Sequence, residues 1–374
     1  MALGNKMIKF LTEKARAERR ALNVNMELLP ICNLDCRMCY IRSSWKCVKE
    51  QGGLIPKEKW IALVKELYQA GVLFLLLTGG EVFLYPEFKE LYIELVKMGF
   101  GVTINTNATM IQEETVEWLK QYPPKLLSIS LYGADNETYE KVCGRKGVFD
   151  QVNHALKLLL EANIQVECKT ILTPLNYENL EKCNAYMLSL GIPYDVAVYS
   201  FPAVRKLEEA EQIRFTAREA ADCIFYRNRI MSGTQEAYDE EIIRYLKKYE
   251  ETRFTPGKVN CGLNCSGANT AAWISWQGHM TPCAMLNEPY TLPFEQGFLP
   301  AWEELKEKTD KLVLSTKCSY CEKRQVCTVC PASACAETGR IDGTSEYHCE
   351  MTDRIIETMQ CYVQEKNLKI NEEE

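Results

Sequence analysis

The sequence predicts an α/β fold in which a six-stranded parallel sheet or partial barrel is followed by a cysteine-rich C-terminal domain. Between Leu22 and Phe201, short β-type runs alternate with stretches of helical periodicity, as is typical of βα units with parallel strands. Ten of the 18 cysteines lie between Cys261 and Cys361, which predicts a boundary near residue 255. At roughly 150 residues per domain, the 374 residues correspond to two or three domains.

The six predicted strands are short runs rich in apolar and β-branched residues. They are about Asn23–Leu29, Val72–Leu77, Gly101–Asn105, Leu126–Leu131, Gln165–Leu172 and Asp195–Tyr199. Amphipathic stretches such as Lys57–Gln69 and Glu87–Lys97 separate them and predict helices. In parallel sheets the reactive groups lie beyond the carboxyl ends of the strands, so we expect the site there.

The organisation along the chain predicts five segments. These are an N-terminal helix (1–21), the partial barrel (22–202), a helical bridge (203–255), the cysteine-rich domain (256–352), and a C-terminal helix and tail (353–374). Phe254-Thr-Pro-Gly257 reads as the linker into the cysteine-rich domain.

Composition excludes several classes of protein. The net charge of −7 and the pI near 5.4 argue against a nucleic-acid binder or a protein of anionic membrane surfaces. The longest apolar run, Val72–Leu77, is far shorter than the roughly 18 residues of a membrane span, and no signal peptide is evident. We therefore expect a cytoplasmic protein. In that reducing compartment, 18 cysteines beside three histidines indicate iron–sulfur or all-cysteine zinc sites rather than disulfides.

Three of the cysteines follow the first strand directly. Cys32, Cys36 and Cys39 have the spacing C-x3-C-x2-C, which supplies three thiolates where a four-iron cluster takes four ligands. One iron is left open, and an open iron can hold a substrate or cofactor. A zinc knuckle is the alternative interpretation.

This motif in this position resembles the radical S-adenosylmethionine (SAM) enzymes, and the resemblance covers about residues 22–201. It implies a partial (β/α)6 barrel of the TIM type. It also implies one [4Fe-4S] cluster whose open iron is chelated by SAM, and cleavage of SAM to a 5′-deoxyadenosyl radical.

The resemblance also implies SAM-binding residues on the following strands. Thr78-Gly79-Gly80-Glu81 resembles the family's GGE motif, in which the glycine backbone approaches the methionine part of SAM and the carboxylate pairs with its ammonium group. Asn107 and Ser130 match polar contacts to ribose and methionine. Arg145 matches a basic residue placed against the SAM carboxylate.

The C-terminal cysteines resemble the SPASM extension of radical SAM enzymes over about residues 256–352, which implies two auxiliary [4Fe-4S] clusters and three clusters in all. By family order, the first auxiliary cluster takes Cys261, Cys265, Cys283 and Cys330, and the second takes Cys318, Cys321, Cys327 and Cys349. Cys335 is an alternative to Cys330. Two four-cysteine zinc ribbons remain open as an interpretation, because spacing does not separate zinc from iron–sulfur ligation.

SPASM enzymes mostly modify ribosomally made peptides or proteins, so the resemblance implies a radical enzyme that forms a thioether or carbon–carbon crosslink. Only 31 residues precede Cys32, so we expect leader binding by a separate protein, by a helical surface such as Lys6–Arg20 or by the barrel mouth itself. The electron donor is expected to be a protein such as flavodoxin or ferredoxin. Epimerisation and a cofactor pathway remain alternatives. Sulfatase maturation is disfavoured because Ala284, not a carboxylate, follows Cys283. A non-catalytic metal-binding scaffold is the alternative outside enzymes.

Several further side chains are candidates for the substrate cavity. Tyr132, Tyr199 and Phe201 lie at strand ends, where they line a peptide cavity or pack in the core. Three cysteines outside the clusters are either hydrogen donors to a substrate radical or ordinary buried residues: Cys47, Cys143 and Cys223.

Overall fold

A computed structural model of the protein describes residues 2–206, 212–253 and 262–370. Its centre is a sheet in which six parallel strands follow one another in chain order, each paired with the next. The strands are β1 (Asn23–Glu27), β2 (Phe74–Thr78), β3 (Gly101–Thr106), β4 (Leu126–Ser130), β5 (Val166–Ile171) and β6 (Tyr194–Ala197). The predicted parallel α/β sheet is confirmed, with strand ends that differ from the predicted ones by at most two residues.

The C-terminal part of the chain extends this sheet by two strands. β7 (Ala271–Ile274) pairs in parallel with β1, with Asn23 opposite Ala271, and β8 (Met280–Thr281) pairs antiparallel with β7. The strand order is therefore β6-β5-β4-β3-β2-β1-β7-β8. The sequence did not predict this pairing, which joins the cysteine-rich part to the edge of the barrel that carries the first cysteine loop.

Helices cover the barrel strands and follow the predicted alternation. Those of the barrel part are α1 (Ala2–Glu18), α2 (Trp45–Glu50), α3 (Lys57–Gln69), α4 (Phe88–Lys97), α5 (Glu113–Gln121), α6 (Asn136–Cys143), α7 (Val148–Glu161) and α8 (Leu180–Leu190). α3 has the predicted bounds, and α4 begins one residue later than predicted. None of the described helices combines the length and hydropathy needed to cross a bilayer.

The later helices shift two of the predicted segment boundaries. They are α9 (Ala217–Met231), α10 (Gln235–Thr252), α11 (Pro293–Gln296), α12 (Phe298–Thr309), α13 (Thr316–Ser319), α14 (Pro331–Thr338) and α15 (Glu346–Lys366). Residues 203–206 and 212–216, the described residues of the predicted bridge that precede α9, are not helical. At the start of α9, Thr216 and Glu219 form a capping box that satisfies the first backbone N–H groups. The last helix begins at Glu346 rather than residue 353. The predicted linker at 254–257 lies outside the described residues.

The main core lies between the sheet and the barrel helices. Alternate residues of the central strands are fully buried, for example Val24 and Met26 on β1 and Leu77 on β2. Trp60 of α3 is also fully buried and meets Phe294 of α11 edge-on, with ring centroids 5.1 Å apart. Burying each such side chain stabilises the fold by roughly 1.5–3 kcal/mol. This packing holds the carboxyl ends of the strands in place.

Candidate functional site

A cavity of about 320 Å³ opens at the carboxyl ends of the parallel strands. Seven of the nine site residues predicted for the barrel line it: Cys32, Cys36, Cys39, Gly79, Gly80, Asn107 and Ser130. Glu81 and Arg145 do not line it. The structure therefore brings most of the predicted site residues together around one cavity.

The loop that carries the three cysteines is held by the C-terminal end of α6. The backbone N–H groups of Asp35 and Arg37 donate to the carbonyl oxygens of Cys143 and Val142, each at 3.0 Å. These carbonyls are among the last of a helix and have no partner within it, so the loop supplies the missing donors. These hydrogen bonds to the end of α6 hold the cysteine loop in place.

Backbone N–H groups also point at two of the sulfur atoms. Leu34 N donates to Cys32 Sγ at 3.4 Å, and Arg42 N donates to Cys39 Sγ at 3.2 Å. Such hydrogen bonds favour the thiolate, whereas burial opposes it and raises the pKa of Cys32 to about 12. A bound iron cluster would offset that penalty with its positive charge, as cysteine ligation requires. The donor set of three half-buried thiols that line a cavity fits a cysteine-ligated iron–sulfur cluster.

A fourth thiol lies directly behind this loop. Cys143 Sγ is 3.6 Å from Cys36 Sγ, and Cys143 is fully buried. It does not line the cavity, so its predicted role as a hydrogen donor to substrate has no support in this geometry. Its position is instead that of a hydrogen-bond partner of Cys36.

The two glycines of the GGE motif approach the protein's own backbone. A Cβ atom on Gly79 would lie 2.4 Å from the carbonyl oxygen of Leu29, and one on Gly80 would lie 2.2 Å from that of Ile31. Gly80 N donates to Leu29 O at 2.8 Å, which ties the end of β2 to the segment that enters the cysteine loop. Glycine is therefore required for contact with this segment, in addition to any approach to a ligand.

Glu81 is a buried acceptor behind the cavity wall. Its Oε1 accepts from Thr106 Oγ1 at 2.7 Å and from Phe83 N at 3.3 Å, and its Oε2 accepts from Asn107 N at 2.8 Å. Burial raises the pKa of Glu81 to about 7, although these hydrogen bonds oppose the shift. The geometry gives Glu81 a positioning role at the end of β3, and its contact with the methionine ammonium of SAM stays a prediction.

The residue that Glu81 positions reaches the cysteine loop. Asn107 Nδ2 donates to Asn33 Oδ1 at 2.9 Å and lies 3.7 Å from Cys32 Sγ. Thr109 Oγ1 donates to Asn107 Oδ1 at 2.6 Å, which fixes the orientation of the amide. The chain Glu81–Asn107–Asn33 thus couples the end of β3 to the first cysteine.

The cationic side chain in the cavity is not the predicted one. Arg145 is exposed, and its only described contact is with the carbonyl oxygen of Asn33 at 3.5 Å. Lys169 of β5 lines the cavity, as the one cationic residue among the described residues of its lining, and lies opposite Ser130 in the strand register. Its ammonium also pairs with Glu167 Oε1 at 2.7 Å. Alternation along β5 places Lys169 and Ile171 on the same face, which is the signal that sequence reasoning missed.

Aromatic residues form the opposite wall and connect it to the C-terminal part. Tyr132, Tyr199 and Phe201 line the cavity, as expected. Tyr199 Oη donates to Glu337 Oε1 at 2.9 Å, and the Arg214 guanidinium binds both oxygens of Glu337 at 2.7 and 2.8 Å. This bidentate pair, which sequence reasoning missed, fastens α14 to the cavity wall.

The C-terminal cysteines form two groups. Four of them line one small cavity of about 30 Å³: Cys318, Cys321, Cys327 and Cys349, the set predicted for the second auxiliary cluster. Cys283, Cys330 and Cys335 pack around a separate apolar cluster that contains Leu312. Cys265 is exposed, and Cys261 lies outside the described residues.

Two alternatives for the first auxiliary set stay open in the structure, because Cys330 and Cys335 adjoin the same apolar cluster. Within the described ranges, no three Cys, His, Asp or Glu side chains converge on a point that a single metal ion would occupy. All 17 cysteines in the described part of the chain are free thiols.

Several known protein sequences are similar to this chain. The model of the radical SAM superfamily matches residues 26–188. The antilisterial bacteriocin subtilosin biosynthesis protein AlbA of Bacillus subtilis is 27% identical over 72% of this chain and 56% of its own length. The sporulation killing factor maturation protein SkfB of the same organism is 28% identical over 72% of this chain and 61% of its own length. The AdoMet-dependent heme synthase of Methanosarcina barkeri is 26% identical over 84% of this chain and 92% of its own length.

Solved structures share the fold at low sequence identity. Streptococcus suis SuiB bound to S-adenosylmethionine aligns with a TM-score of 0.61 and 18% identity over 88% of this chain and 75% of that one. Native anSMEcpe with bound AdoMet aligns with a TM-score of 0.64 and 17% identity over 93% of this chain and 100% of that one. The chain thus spans little more than half of the two Bacillus proteins and the full length of the anSMEcpe structure.

Proposed function

Because this chain belongs to the radical SAM superfamily and its SPASM subfamily, we propose that it modifies a ribosomally made peptide or protein by hydrogen abstraction. The supporting observation is the single cavity that Cys32, Cys36 and Cys39 share with the ends of β2, β3 and β4. When bound, the [4Fe-4S] cluster and SAM supply a 5′-deoxyadenosyl radical. The protein's own contribution is to bind the cluster, to orient SAM and to exclude water from the cavity.

The three thiols and the groups around them hold the cluster in this proposal. Cys32 and Cys39 each receive a backbone N–H donor, and Cys36 receives the thiol of Cys143 as a neighbour. Asn107 adds an amide N–H near Cys32 Sγ. Hydrogen bonds to cluster sulfurs help to set the reduction potential of such a centre.

Polar and cationic residues along the cavity orient SAM. Gly79 and Gly80 form the wall beside the cysteine loop, and Ser130 and Lys169 adjoin each other across β4 and β5. An ammonium group beside a hydroxyl suits the carboxylate of an amino acid, so we assign the SAM carboxylate to this pair rather than to Arg145.

Aromatic side chains exclude water from the opposite side. Tyr40 packs against Phe201 with ring centroids 5.1 Å apart and ring planes tilted by 51°, and Tyr132 and Tyr199 also line the cavity. A dry wall protects a reactive intermediate from side reactions. The same surfaces give a peptide side chain apolar contact next to the cavity.

The outcome that we propose is a thioether or carbon–carbon crosslink in a peptide. AlbA, a protein of bacteriocin biosynthesis, and SkfB, a maturation protein of a killing factor, support the peptide class. The partners are the peptide or protein substrate, a separate leader-recognition protein, and a one-electron donor such as flavodoxin or ferredoxin. The free thiols of the described cysteines agree with the reducing cytoplasm.

A second candidate is modification of a tetrapyrrole. It is favoured by one observation, namely that the match to the Methanosarcina barkeri heme synthase extends over 92% of that protein, against 56% of AlbA.

We also propose two auxiliary [4Fe-4S] clusters in the C-terminal part. Cys318, Cys321, Cys327 and Cys349 hold one cluster, a set supported by the cavity that they share. Cys261, Cys265, Cys283 and Cys330 hold the other, with Cys335 in place of Cys330 as the alternative.

The experiment that tests the radical chemistry is anaerobic reconstitution with iron and sulfide, followed by dithionite and SAM. Wild type should form 5′-deoxyadenosine, and a variant with alanine at Cys32, Cys36 and Cys39 should form none. Cys168→Ala is the control, because Cys168 is also a free thiol of the barrel but lies fully buried on β5, outside the cavity lining. Equal product from the triple variant would refute the assignment of the cluster.

Two further measurements separate the finer proposals. Iron analysis should give roughly twelve atoms per chain for three four-iron clusters, and roughly four fewer after loss of a single cluster. Cys330→Ala and Cys335→Ala identify the ligand, because only one of them should lose iron. Product mass separates the outcomes on a peptide, since a crosslink removes two hydrogen atoms and epimerisation removes none.

A further inference from the structure

A second cavity, of about 250 Å³, lies beside the loop that follows β6. Its lining is mostly polar and includes two cationic residues, Arg205 and Lys206, and one carboxylate, Glu288. Gln277, His279 and Asn287 add neutral polar groups. None of the roles proposed above for the chain uses these residues.

Arg205 is the centre of this cavity's chemistry. Its side chain is only 7% exposed, and its Nη2 binds Oε1 of the fully buried Glu27 at 2.6 Å. The other oxygen of Glu27 accepts from Trp273 Nε1 at 3.1 Å, so both oxygens of that carboxylate are engaged. Arg205 Nη1 is also buried, and it has no hydrogen-bond partner among the described residues.

An orphaned N–H on a buried guanidinium is costly, because the group has lost water without gaining an acceptor. A planar carboxylate is the acceptor whose geometry the guanidinium fork fits best. Lys206 adds a second positive charge and forms no ion pair within the described residues. Glu27 offsets the charge of Arg205 and Glu288 offsets that of Lys206, so these four residues together carry no net charge, and the hydrogen-bond geometry of the guanidinium, rather than net attraction of an anion, favours a carboxylate.

The neighbours of Arg205 are arranged to accept such a group. His279 stacks on Tyr290 with ring centroids 4.0 Å apart and an interplanar angle of 13°. Asn287 Nδ2 donates to Val204 O at 2.7 Å, which pins the segment that carries Arg205. These contacts leave the cavity preformed rather than collapsed.

The position of the cavity connects it to the radical site. Phe201 lines the SAM cavity and Arg205, four positions further along the chain, lines the second one, so the two lie at most about 14 Å apart. Glu27 ends β1, the strand from which the cysteine loop departs. A substrate whose reactive carbon lies in the first cavity can therefore place another group in the second.

We propose that this second cavity is a carboxylate-binding subsite for the substrate, in which Arg205 Nη1 donates to the carboxylate and Lys206 contributes charge. The proposal rests on the proposed function only in taking the bound carboxylate to be part of the substrate. Both a peptide with an acidic residue and a tetrapyrrole with propionate side chains carry this group, so Arg205 acts as a specificity-determining residue for either source.

The test is a calorimetric titration of the anaerobic holoenzyme with glutarate, and with its uncharged diamide as the comparison. Wild type should bind glutarate and not the diamide. Arg205→Gln alone leaves Glu27 buried without its cation and can unfold the chain. The double variant Glu27→Gln/Arg205→Gln removes both charges together, and Lys206→Gln removes the outer charge alone.

We expect the dissociation constant for glutarate to rise at least about tenfold in the double variant and by a smaller factor in Lys206→Gln. Lys182→Gln is the matched control, because Lys182 is an exposed lysine in a different cavity and should leave binding unchanged. Equal binding of the diamide by wild type, no binding of glutarate, or unchanged affinity in the double variant would each overturn the proposal.

Two larger probes then distinguish the source of the carboxylate. Fe-coproporphyrin III and a glutamate-containing hexapeptide are titrated into wild type and the double variant, with the glutamine peptide as control. The probe whose affinity depends on Arg205 identifies the source. Formation of 5′-deoxyadenosine is measured separately in each variant, so that failure of the radical chemistry is distinguishable from failure of the subsite.

Discussion

Substitution of Gly80 by alanine should disable the site through the backbone rather than through a lost contact. The added Cβ would lie 2.2 Å from Ile31 O and 2.5 Å from Ile31 C. An ordinary contact begins at 3.4 Å, so the Ile31 carbonyl must retreat by the difference between 3.4 and 2.2 Å, about 1.2 Å. Backbone cannot yield as a flexible side chain does, and the segment that must move leads directly into Cys32.

The cost follows from that displacement. Overpacking of this kind costs about 1–3 kcal/mol. Loss of the hydrogen bonds from Gly80 N to Leu29 O and from Glu81 N to Ile31 O adds roughly 0.5–1.5 kcal/mol each. We therefore expect Gly80→Ala to lower the free energy of unfolding by about 3 kcal/mol and to displace the first cysteine from its place in the cavity.

The assay combines urea unfolding with iron content and SAM-dependent spectral change after reconstitution. Gly53→Ala is the control, because its Cβ would meet nothing within 4 Å although its φ of +88° makes the backbone strained. That variant should lose about 1–2 kcal/mol and keep all of its iron. If Gly80→Ala retains full iron and a SAM response like wild type, then the close approach does not position the cysteine loop and the reasoning is refuted.

Three further predictions test the cavity. Cys143→Ala should lower the reduction potential of the first cluster by about 60 mV, which corresponds to a tenfold change in the reduced-to-oxidised ratio. The potential is measured by a redox titration monitored by EPR, and Cys168→Ala should leave it unchanged. Lys169→Met should weaken SAM binding about tenfold and Arg145→Met should not, as measured by calorimetry. Weaker binding in Arg145→Met and unchanged binding in Lys169→Met would show that Arg145 binds the SAM carboxylate. Burial raises the pKa of Glu81 to about 7, so the contribution of the protonated carboxyl to stability is full below about pH 4.5 and is lost as the pH rises through 7. Glu81→Gln should flatten the dependence of the free energy of unfolding on pH between these values. An unchanged pH dependence would contradict the raised pKa of the buried carboxyl.

Much of the site could be predicted from local patterns. The spacing of Cys32, Cys36 and Cys39 and their place after β1 located the cavity, because the carboxyl ends of parallel strands meet at one edge of a sheet. The spacing Cys318-x2-Cys321-x5-Cys327 located a second group, which the structure brings together with Cys349. These patterns are short in sequence, so the fold has little freedom to separate their members.

Side-chain roles were less predictable, because a motif fixes position but not direction. Glu81 follows two cavity-lining glycines, yet its carboxylate turns into the core and holds Asn107. Arg145 matched a basic position, yet Lys169, which is exposed like Arg145, is the one of the two that lines the cavity. The direction depends on strand register and on which neighbour offers a hydrogen bond.

The sequence by itself determined the order of the parallel strands, the cysteine loop after the first of them and the family to which these belong. Alternating hydrophobicity and ligand spacing are local properties, and a right-handed βα succession leaves few ways to arrange them. Only the tertiary structure decided that β7 extends the sheet at β1, and that Arg205 meets Glu27 beside Trp273. Those contacts join segments far apart in the chain, and their partners are selected by packing and by the need to pair buried charges, which no local pattern records.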